Sequence, residues 1–192
     1  MIAALDVKRE FRERLEATGL WDSLDLTGSQ FLDLSSQVFV ELVLFDAGVA
    51  NRVADIAGDI RLSHPDEEID VVIRARWSVR SVHYAGAAVG LSGGVRMADR
   101  YDVVIVSGSV SQRIIVDVTK DAIEQLESRL KAPGVDPSTY RQIVADLVRG
   151  YVELHLSHGG TSYWDPVRFP SLDINAAAVQ YMIGHQLFKV GV

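Results

Sequence analysis

The segment 69–79 constrains the fold more than any other part of this sequence, because apolar and polar residues alternate along it. A period of two places one set of side chains on each face of a half-buried β-strand. The apolar set is Ile69, Val71, Ile73, Ala75, Trp77 and Val79, and the polar set is Asp70, Arg74, Arg76, Ser78 and Arg80. Beyond Arg80 the apolar positions move to Val82 and Tyr84, which predicts a bulge or a bend.

Other stretches also predict strands. Residues 38–45 are rich in β-branched and aromatic side chains, which is typical of a strand buried on both faces. Residues 101–107 and 110–118 flank Gly108-Ser109, a dipeptide that suits the tight turn of a hairpin. The glycines within residues 87–98 predict tight turns between short strands, because they match no phosphate-binding motif.

The N-terminal part of the chain predicts one helix and leaves a second open. Residues 4–18 carry a narrow apolar stripe among many charges, so this helix is expected either to dock lightly on the domain or to meet a partner. Residues 50–62 have apolar side chains at helical spacing, but Gly58 weakens a helix there.

The C-terminal part predicts three further helices. One begins near Thr119 and stops at Pro133. A longer one follows, with Asp136 as its N-cap and Pro137 in its first turn, and its apolar stripe runs to the end of the helix. The last helix is expected from about Asn175 to Phe188.

The order of a helix, then strands, then helices indicates an α+β fold rather than an alternating α/β fold. We expect an antiparallel β-sheet of about four to six strands with flanking helices, including an N-terminal helix and two C-terminal helices. A single domain covers residues 1–192, with residues 1–20 as an N-terminal helical extension, since a chain of this length can bury one core.

Composition narrows the classes of function. The chain has no cysteine, which removes disulfides, thiolate nucleophiles and thiolate-bound zinc. The formal net charge of −7 disfavours nucleic acid as a partner, because phosphates are bound mainly through lysine and arginine. Residues 38–45 are too short to span a bilayer, and no secretory signal precedes them. We therefore expect a cytoplasmic protein without a membrane partner.

Three residues indicate a possible metal site. His155 and His158 are three residues apart near the end of a predicted helix, and Asp165 follows in the next loop. Imidazoles at this spacing share a helix face, and a carboxylate could complete the site of a metal-dependent hydrolase. A structural interpretation is simpler, because His155 continues the apolar stripe and both histidines suit the helix dipole. The hydrolase stays an alternative, and no catalytic residue, metal or other cofactor is predicted.

Charged clusters give weaker signals. Arg74, Arg76 and Arg80 would line the polar face of the predicted strand, and such a face could serve a nucleic-acid-binding accessory protein. A solvated sheet face with acidic cross-strand partners explains them more simply. The acidic cluster of residues 66–70 is interpreted in the same way, as a solvated loop that enters the strand.

Aromatic residues mark the loop before the last helix. Tyr163, Trp164 and Phe169 lie within a few residues of one another, around Asp165-Pro166. Loops rarely carry so much aromatic surface, so these side chains either plug the core or form a contact patch for another protein. The sequence leaves both possibilities open, and these three residues are the predicted protein-binding site.

The segment Phe169-Pro170-Ser171-Leu172-Asp173-Ile174, between a long amphipathic helix and a final helix, resembles the end of SecB-like export and toxin–antitoxin chaperones. The strand that begins Glu68-Ile69-Asp70-Val71-Val72-Ile73-Arg74 is similar in character to a central strand of that family. The resemblance implies a non-enzymatic oligomer without cofactors, typically a tetramer, which holds unfolded polypeptide against apolar grooves.

These features favour a non-catalytic protein-interaction or assembly module, in the form of a chaperone-like homo-oligomer. Its expected partner is another protein or an unfolded polypeptide. The prediction depends on the absence of catalytic motifs, on a slightly positive mean hydropathy and on the aromatic loop beside long amphipathic helices.

Overall fold

The computed structural model describes residues 2–89, 96–129, 136–157 and 164–185, and their contacts divide the chain into two compact units. Unit 1 comprises Met1–Trp77 and Ser107–Val110, and unit 2 comprises Ser78–Val106 and Ser111–Val192. The α+β fold is confirmed. Its strands form two mixed sheets, of three and four strands, where the sequence suggested one antiparallel sheet. The single domain expected over residues 1–192 stays a prediction.

Unit 1 contains a three-stranded sheet and two α-helices. Its elements are α1 (Ala4–Ala17), β1 (Gln30–Asp33), β2 (Val38–Leu44), α2 (Ala50–Ser63) and β3 (Ile69–Ala75), with short 3-10 helices at Trp21–Ser23 and Ala47–Val49. β1 pairs antiparallel with β2, and β2 pairs parallel with β3. Parallel neighbours need a crossover connection, and α2 provides it between β2 and β3.

The core of unit 1 forms between the two helices and one face of the sheet. Its buried residues include Val7, Phe11 and Leu15 of α1, Val40, Leu42 and Leu44 of β2, and Val53, Ile56 and Ile60 of α2. Of the two alternatives for α1, docking on the domain is observed, and only its expected lightness is wrong, because Val7, Phe11 and Leu15 are all buried. Burial of both faces is also wrong for residues 38–45, since buried and partly exposed residues alternate along β2.

The described residues of unit 2 form the four-stranded sheet and three α-helices. Its elements are β4 (Ser78–Val89), β5 (Arg96–Ser107), β6 (Val110–Thr119), α3 (Lys120–Arg129), α4 (Pro137–Ser157), β7 (Ser171–Ile174) and α5 (Ala176–Gly184). The strand order is β4-β5-β6-β7, with β4 antiparallel to β5 and β7 parallel to β6. The predicted hairpin around Gly108-Ser109 is confirmed, and α4 packs on β4 while α3 packs on α5.

The strand predicted over residues 69–79 is in fact two strands. β3 ends at Ala75 and β4 begins at Ser78, and the two strands belong to different sheets. The predicted bulge is confirmed by a register shift between Val79 and Ser81. The chain thus leaves one sheet and enters the other without losing its apolar alternation.

Side-chain caps begin the helices on either side of β7. The Asp136 carboxylate accepts hydrogen bonds from the backbone N–H groups of Ser138, at 2.9 Å, and Thr139, at 3.1 Å, as expected for the N-cap of α4. The Asn175 side chain accepts one from the N–H of Ala178, at 2.9 Å, and so begins α5. No helix in the described ranges is both long and apolar enough to cross a bilayer.

Candidate protein-binding site

A turn in unit 2 exposes two large apolar side chains. It spans residues 164–170, between α4 and β7, and we call it the exposed turn. Val167 is 59% exposed and Phe169 is 57% exposed, while Trp164 is half-buried. Tyr163, the third aromatic residue of the predicted protein-binding site, lies outside the described residues. Phe169 therefore does not plug the core, and Trp164 is only partly covered.

Asp165 fixes the backbone of the exposed turn. Its carboxylate accepts hydrogen bonds from the N–H groups of Val167, at 2.9 Å, and Arg168, at 3.3 Å. Its carbonyl oxygen accepts a third from the N–H of Phe169, at 2.8 Å. Aspartate is favoured at such positions because its short side chain can satisfy backbone groups two or three residues ahead. The two exposed apolar residues thus stand on an ordered backbone.

Two further hydrogen bonds connect the exposed turn to β6. The Gln112 side-chain amide donates to the carbonyl oxygen of Pro166 at 3.3 Å, and the N–H of Ile115 donates to that of Pro170 at 2.9 Å. Pro166 is itself buried. Since β6 lies inside the sheet, with β5 on its other side, the turn is attached to a well-supported strand.

Arg168 adds a positive charge between the two exposed apolar residues. Its guanidinium lies 5.5 Å from the centre of the Phe169 ring, which is a cation–π distance. Within the described part of the chain, no carboxylate forms an ion pair with Arg168. The exposed turn therefore presents a cation beside apolar surface.

Two of the three predicted metal ligands, His155 and Asp165, make other contacts. The ring Nδ1 of His155 donates to the carbonyl oxygen of Tyr151 at 2.9 Å, and the two rings stand 4.3 Å apart. Asp165 is occupied by the exposed turn, and His158 lies outside the described residues. Where the structure describes the chain, no three potential ligands gather around a common point.

The three arginines of the predicted basic face do not share one strand. Arg74 pairs with Glu41 at 3.0 Å and Arg76 pairs with the buried Asp25 at 2.6 Å, both within unit 1. Arg80 belongs to β4 of unit 2. The face that the alternating pattern predicted is therefore divided, and two of its cations are paired with carboxylates, as the simpler interpretation expected.

A buried polar cluster in unit 2 was not found from the sequence. Asp99 is only 2% exposed, and the hydroxyl of Tyr84 approaches its carboxylate at 3.4 Å. The Tyr101 ring packs edge-on against Tyr84 at 5.5 Å, and its buried hydroxyl has no hydrogen-bond partner in the described part of the chain. Burial, with the nearby Asp99 charge, raises the pKa of Tyr101 above its usual range. The sequence feature that could have revealed this cluster is the position of Asp99, which lies two residues before Tyr101 and therefore on the same inward side of β5.

Comparison of the chain with protein-family models, with curated proteins and with solved structures finds no match.

Proposed function

We propose that this protein is a non-catalytic module that binds another polypeptide through the exposed turn. The observation that carries the proposal is the pair Val167 and Phe169, each more than half exposed on a backbone that Asp165 and β6 hold in place. Aromatic residues on an ordered surface are favoured anchors at protein interfaces. The adjoining half-buried Trp164 extends the same surface.

The energetics favour binding over a purely structural role for these side chains. Full burial of a Phe or Val side chain is worth about 1.5–3 kcal/mol, and roughly half of that remains to be gained on binding when half of the side chain is exposed. An ordered turn also loses little conformational entropy when a partner docks. The exposed turn therefore offers a modest gain at a small entropic cost, which suits reversible contact with apolar segments.

The sequence resemblance supports a holding chaperone as the form of this activity. The segment that resembles SecB-like chaperones begins at Phe169, the most exposed aromatic residue of the turn, and continues through β7. On this proposal the protein is a cytoplasmic homo-oligomer that binds unfolded polypeptide and needs no cofactor. Its oligomeric state and location belong to the proposal.

The test is a double variant, Val167→Ser with Phe169→Ser, in the full chain. Its binding to a permanently unfolded, carboxymethylated model protein is measured by fluorescence anisotropy. A second assay measures how well the variant suppresses the aggregation of a substrate protein whose disulfides have been chemically reduced. We expect binding to weaken about tenfold or more, because the lost burial is of the order of 1.4 kcal/mol or greater.

Leu62→Ser is the matched control, because Leu62 is 80% exposed on α2 of unit 1. This variant removes a similar apolar area elsewhere on the protein and should bind like the unchanged chain. Equal binding by the double variant, or equal losses in both variants, would refute the assignment of the exposed turn.

A further inference from the structure

In the part of the chain that the structure describes, one side of the edge strand β7 pairs with no other strand. It is the last strand in the order β4-β5-β6-β7, and β6 alone pairs with it among the described residues. Pro170 accepts a hydrogen bond from the N–H of Ile115 at 2.9 Å, so its carbonyl group faces β6. Because backbone groups alternate in direction along a strand, those of Leu172 and Ile174 face β6 as well.

The remaining backbone groups of β7 face away from the sheet. They are the N–H and carbonyl groups of Ser171 and Asp173, which follow from the same alternation. Both residues are exposed to solvent. An open strand edge of this kind is a template for an added strand, since its polar groups are ready to pair with another backbone.

The open edge is continuous with the exposed turn. Ser171 follows Phe169 with only Pro170 between them, so an extended segment that pairs with β7 would pass directly beside the exposed ring. Strand addition commonly divides recognition in this way, because backbone bonds give affinity while neighbouring pockets or side chains select the sequence.

Arg168 indicates the chemistry of the segment. Its guanidinium has no carboxylate partner in the described part of the chain and lies over the Phe169 ring. An acidic residue on the bound segment would neutralise this cation beside the apolar contact, and charge complementarity of this type favours correct partners. The neighbouring Asp165 cannot do so without giving up the bonds that hold the turn.

We propose that the partner binds as an added β-strand on the outer edge of β7, as an extended segment with an apolar side chain on Phe169 and an acidic side chain next to Arg168. This inference rests on the proposed function and names its partner class. The backbone of Ser171 and Asp173 supplies the hydrogen bonds. The exposed turn supplies the selectivity.

The probe is a fluorescein-labelled peptide of alternating Val and Thr, with a central Phe and with a Glu two residues after it, so that both side chains lie on the same face of the strand. Binding to the full chain is measured by fluorescence anisotropy. A matched peptide carries N-methyl groups on every second amide, which prevents strand pairing along one edge. It is made in two versions, one with each edge of the peptide blocked. A third peptide replaces Glu with Gln. We expect N-methylation of the pairing edge to weaken binding about tenfold or more, and loss of the charge to weaken it several-fold.

Protein variants test the same contacts from the other side. Ser171→Pro removes an outward N–H and places a ring at the edge, while the bonds of Pro170, Leu172 and Ile174 to β6 are retained. We expect Ser171→Pro to weaken binding of the unmodified peptide but to leave the already weak binding of the N-methylated peptide unchanged. Arg168→Gln should abolish the difference between the Glu and Gln peptides. The peptide arms remain decisive even if Ser171→Pro disturbs folding.

Several results would overturn the inference. If Phe169→Ser weakens binding while N-methylation on either edge does not, side chains alone carry recognition and strand addition is wrong, although the proposed function stands. A protein that binds the unfolded model protein but not the acidic peptide would reject the partner class. If Ser171→Pro instead dissolves a self-associated form seen by sizing, the edge is occupied by a second copy. Failure to bind either probe would also remove the proposed function.

Discussion

A hydrogen bond from the indole N–H of Trp164 to the carbonyl oxygen of Phe169, at 2.8 Å, closes the exposed turn. This bond uses only the backbone of Phe169, which is 57% exposed and whose ring has the Arg168 guanidinium over it. Trp164 in turn stands edge-on to His155 of α4, with ring centres 6.3 Å apart. A fixed backbone with an outward aromatic ring is the arrangement on which the proposed function depends.

Loss of the Asp165 carboxylate should impair binding more than folding. Asp165→Ala removes the two hydrogen bonds to the N–H groups of Val167 and Arg168, each worth about 1 kcal/mol. The turn would then sample other conformations, and binding of the unfolded model protein should weaken several-fold with only a small fall in Tm. Asp165→Asn keeps an acceptor oxygen and should bind almost normally. A variant Asp165→Ala that binds as well as the unchanged chain would show that order in the turn is unimportant.

The N-cap of α4 should make the stability of the protein depend on pH in the acidic range. Hydrogen bonds from Ser138 and Thr139 hold the pKa of Asp136 well below its usual range. Its contribution is therefore complete above the pKa of the unfolded chain and is lost as pH falls through the lower folded pKa. Asp136→Ala should lower Tm by a few degrees at pH 7 and by less in strong acid. Asp136→Asn, which can still cap the helix, should lose less, and an equal loss in both variants would contradict the cap.

Asp25 in unit 1 should show the same sign of pH dependence. Its pKa is lowered chiefly by the hydrogen bond from Thr27, and the Arg76 guanidinium adds to this against the opposing effect of burial. The ionised Asp25 carboxylate therefore contributes fully to the stability of the fold above 3.8, the ordinary pKa of the group. This contribution is lost as the pH falls through the lower pKa of the folded state.

Asp25→Asn should lower the free energy of unfolding by about 1 kcal/mol at pH 7, because a charge-assisted bond becomes neutral. At a pH below both pKa values the variant and the unchanged chain should differ little. Urea unfolding at the two pH values measures this difference. A loss that is the same at both would mean that the charge of Asp25 has no role.

Two glycines provide a matched pair for backbone conformation. Gly108 has φ +55°, and a Cβ placed there would collide with the side chain of Asp46. Gly108→Ala should therefore cost more than about 1 kcal/mol in the free energy of unfolding. Gly58 lies inside α2 with no atom within 4 Å of an added Cβ, so Gly58→Ala should stabilise by about 0.5–1 kcal/mol. Urea unfolding of both variants checks the opposite signs.

Local signals in the sequence predicted local structure well. Asp136 caps α4, Gly108 lies in the hairpin turn, and the register of the β4–β5 pair shifts next to Arg80, as predicted. These three features could be predicted because each depends on a few neighbouring residues and their backbone geometry. The sequence did not decide whether residues 50–62 form a helix, because Gly58 lowers the helix propensity. The structure shows the helix α2, which is stabilised by burial of its apolar face.

The arrangement of strands could not be read from the same signals. Ala75, Trp77 and Val79 keep the apolar alternation although β3 ends at Ala75, since alternation reports burial on one face and not which sheet provides it. β7 has only four residues, too few for a periodic pattern. Val167 was missed because its exposure depends on the path of the turn, which Asp165 sets through backbone contacts.

The most direct test of polypeptide binding is an NMR titration of the full chain with the permanently unfolded model protein. The chain has three tryptophans, Trp21, Trp77 and Trp164, whose indole N–H signals report on separate places. We expect the Trp164 signal to shift, and the backbone amides of residues 167–169 and 171–173 to shift and gain protection from exchange, while Trp21 is unchanged. Binding that leaves Trp164 and these amides unaltered, or no binding at all, would contradict the account.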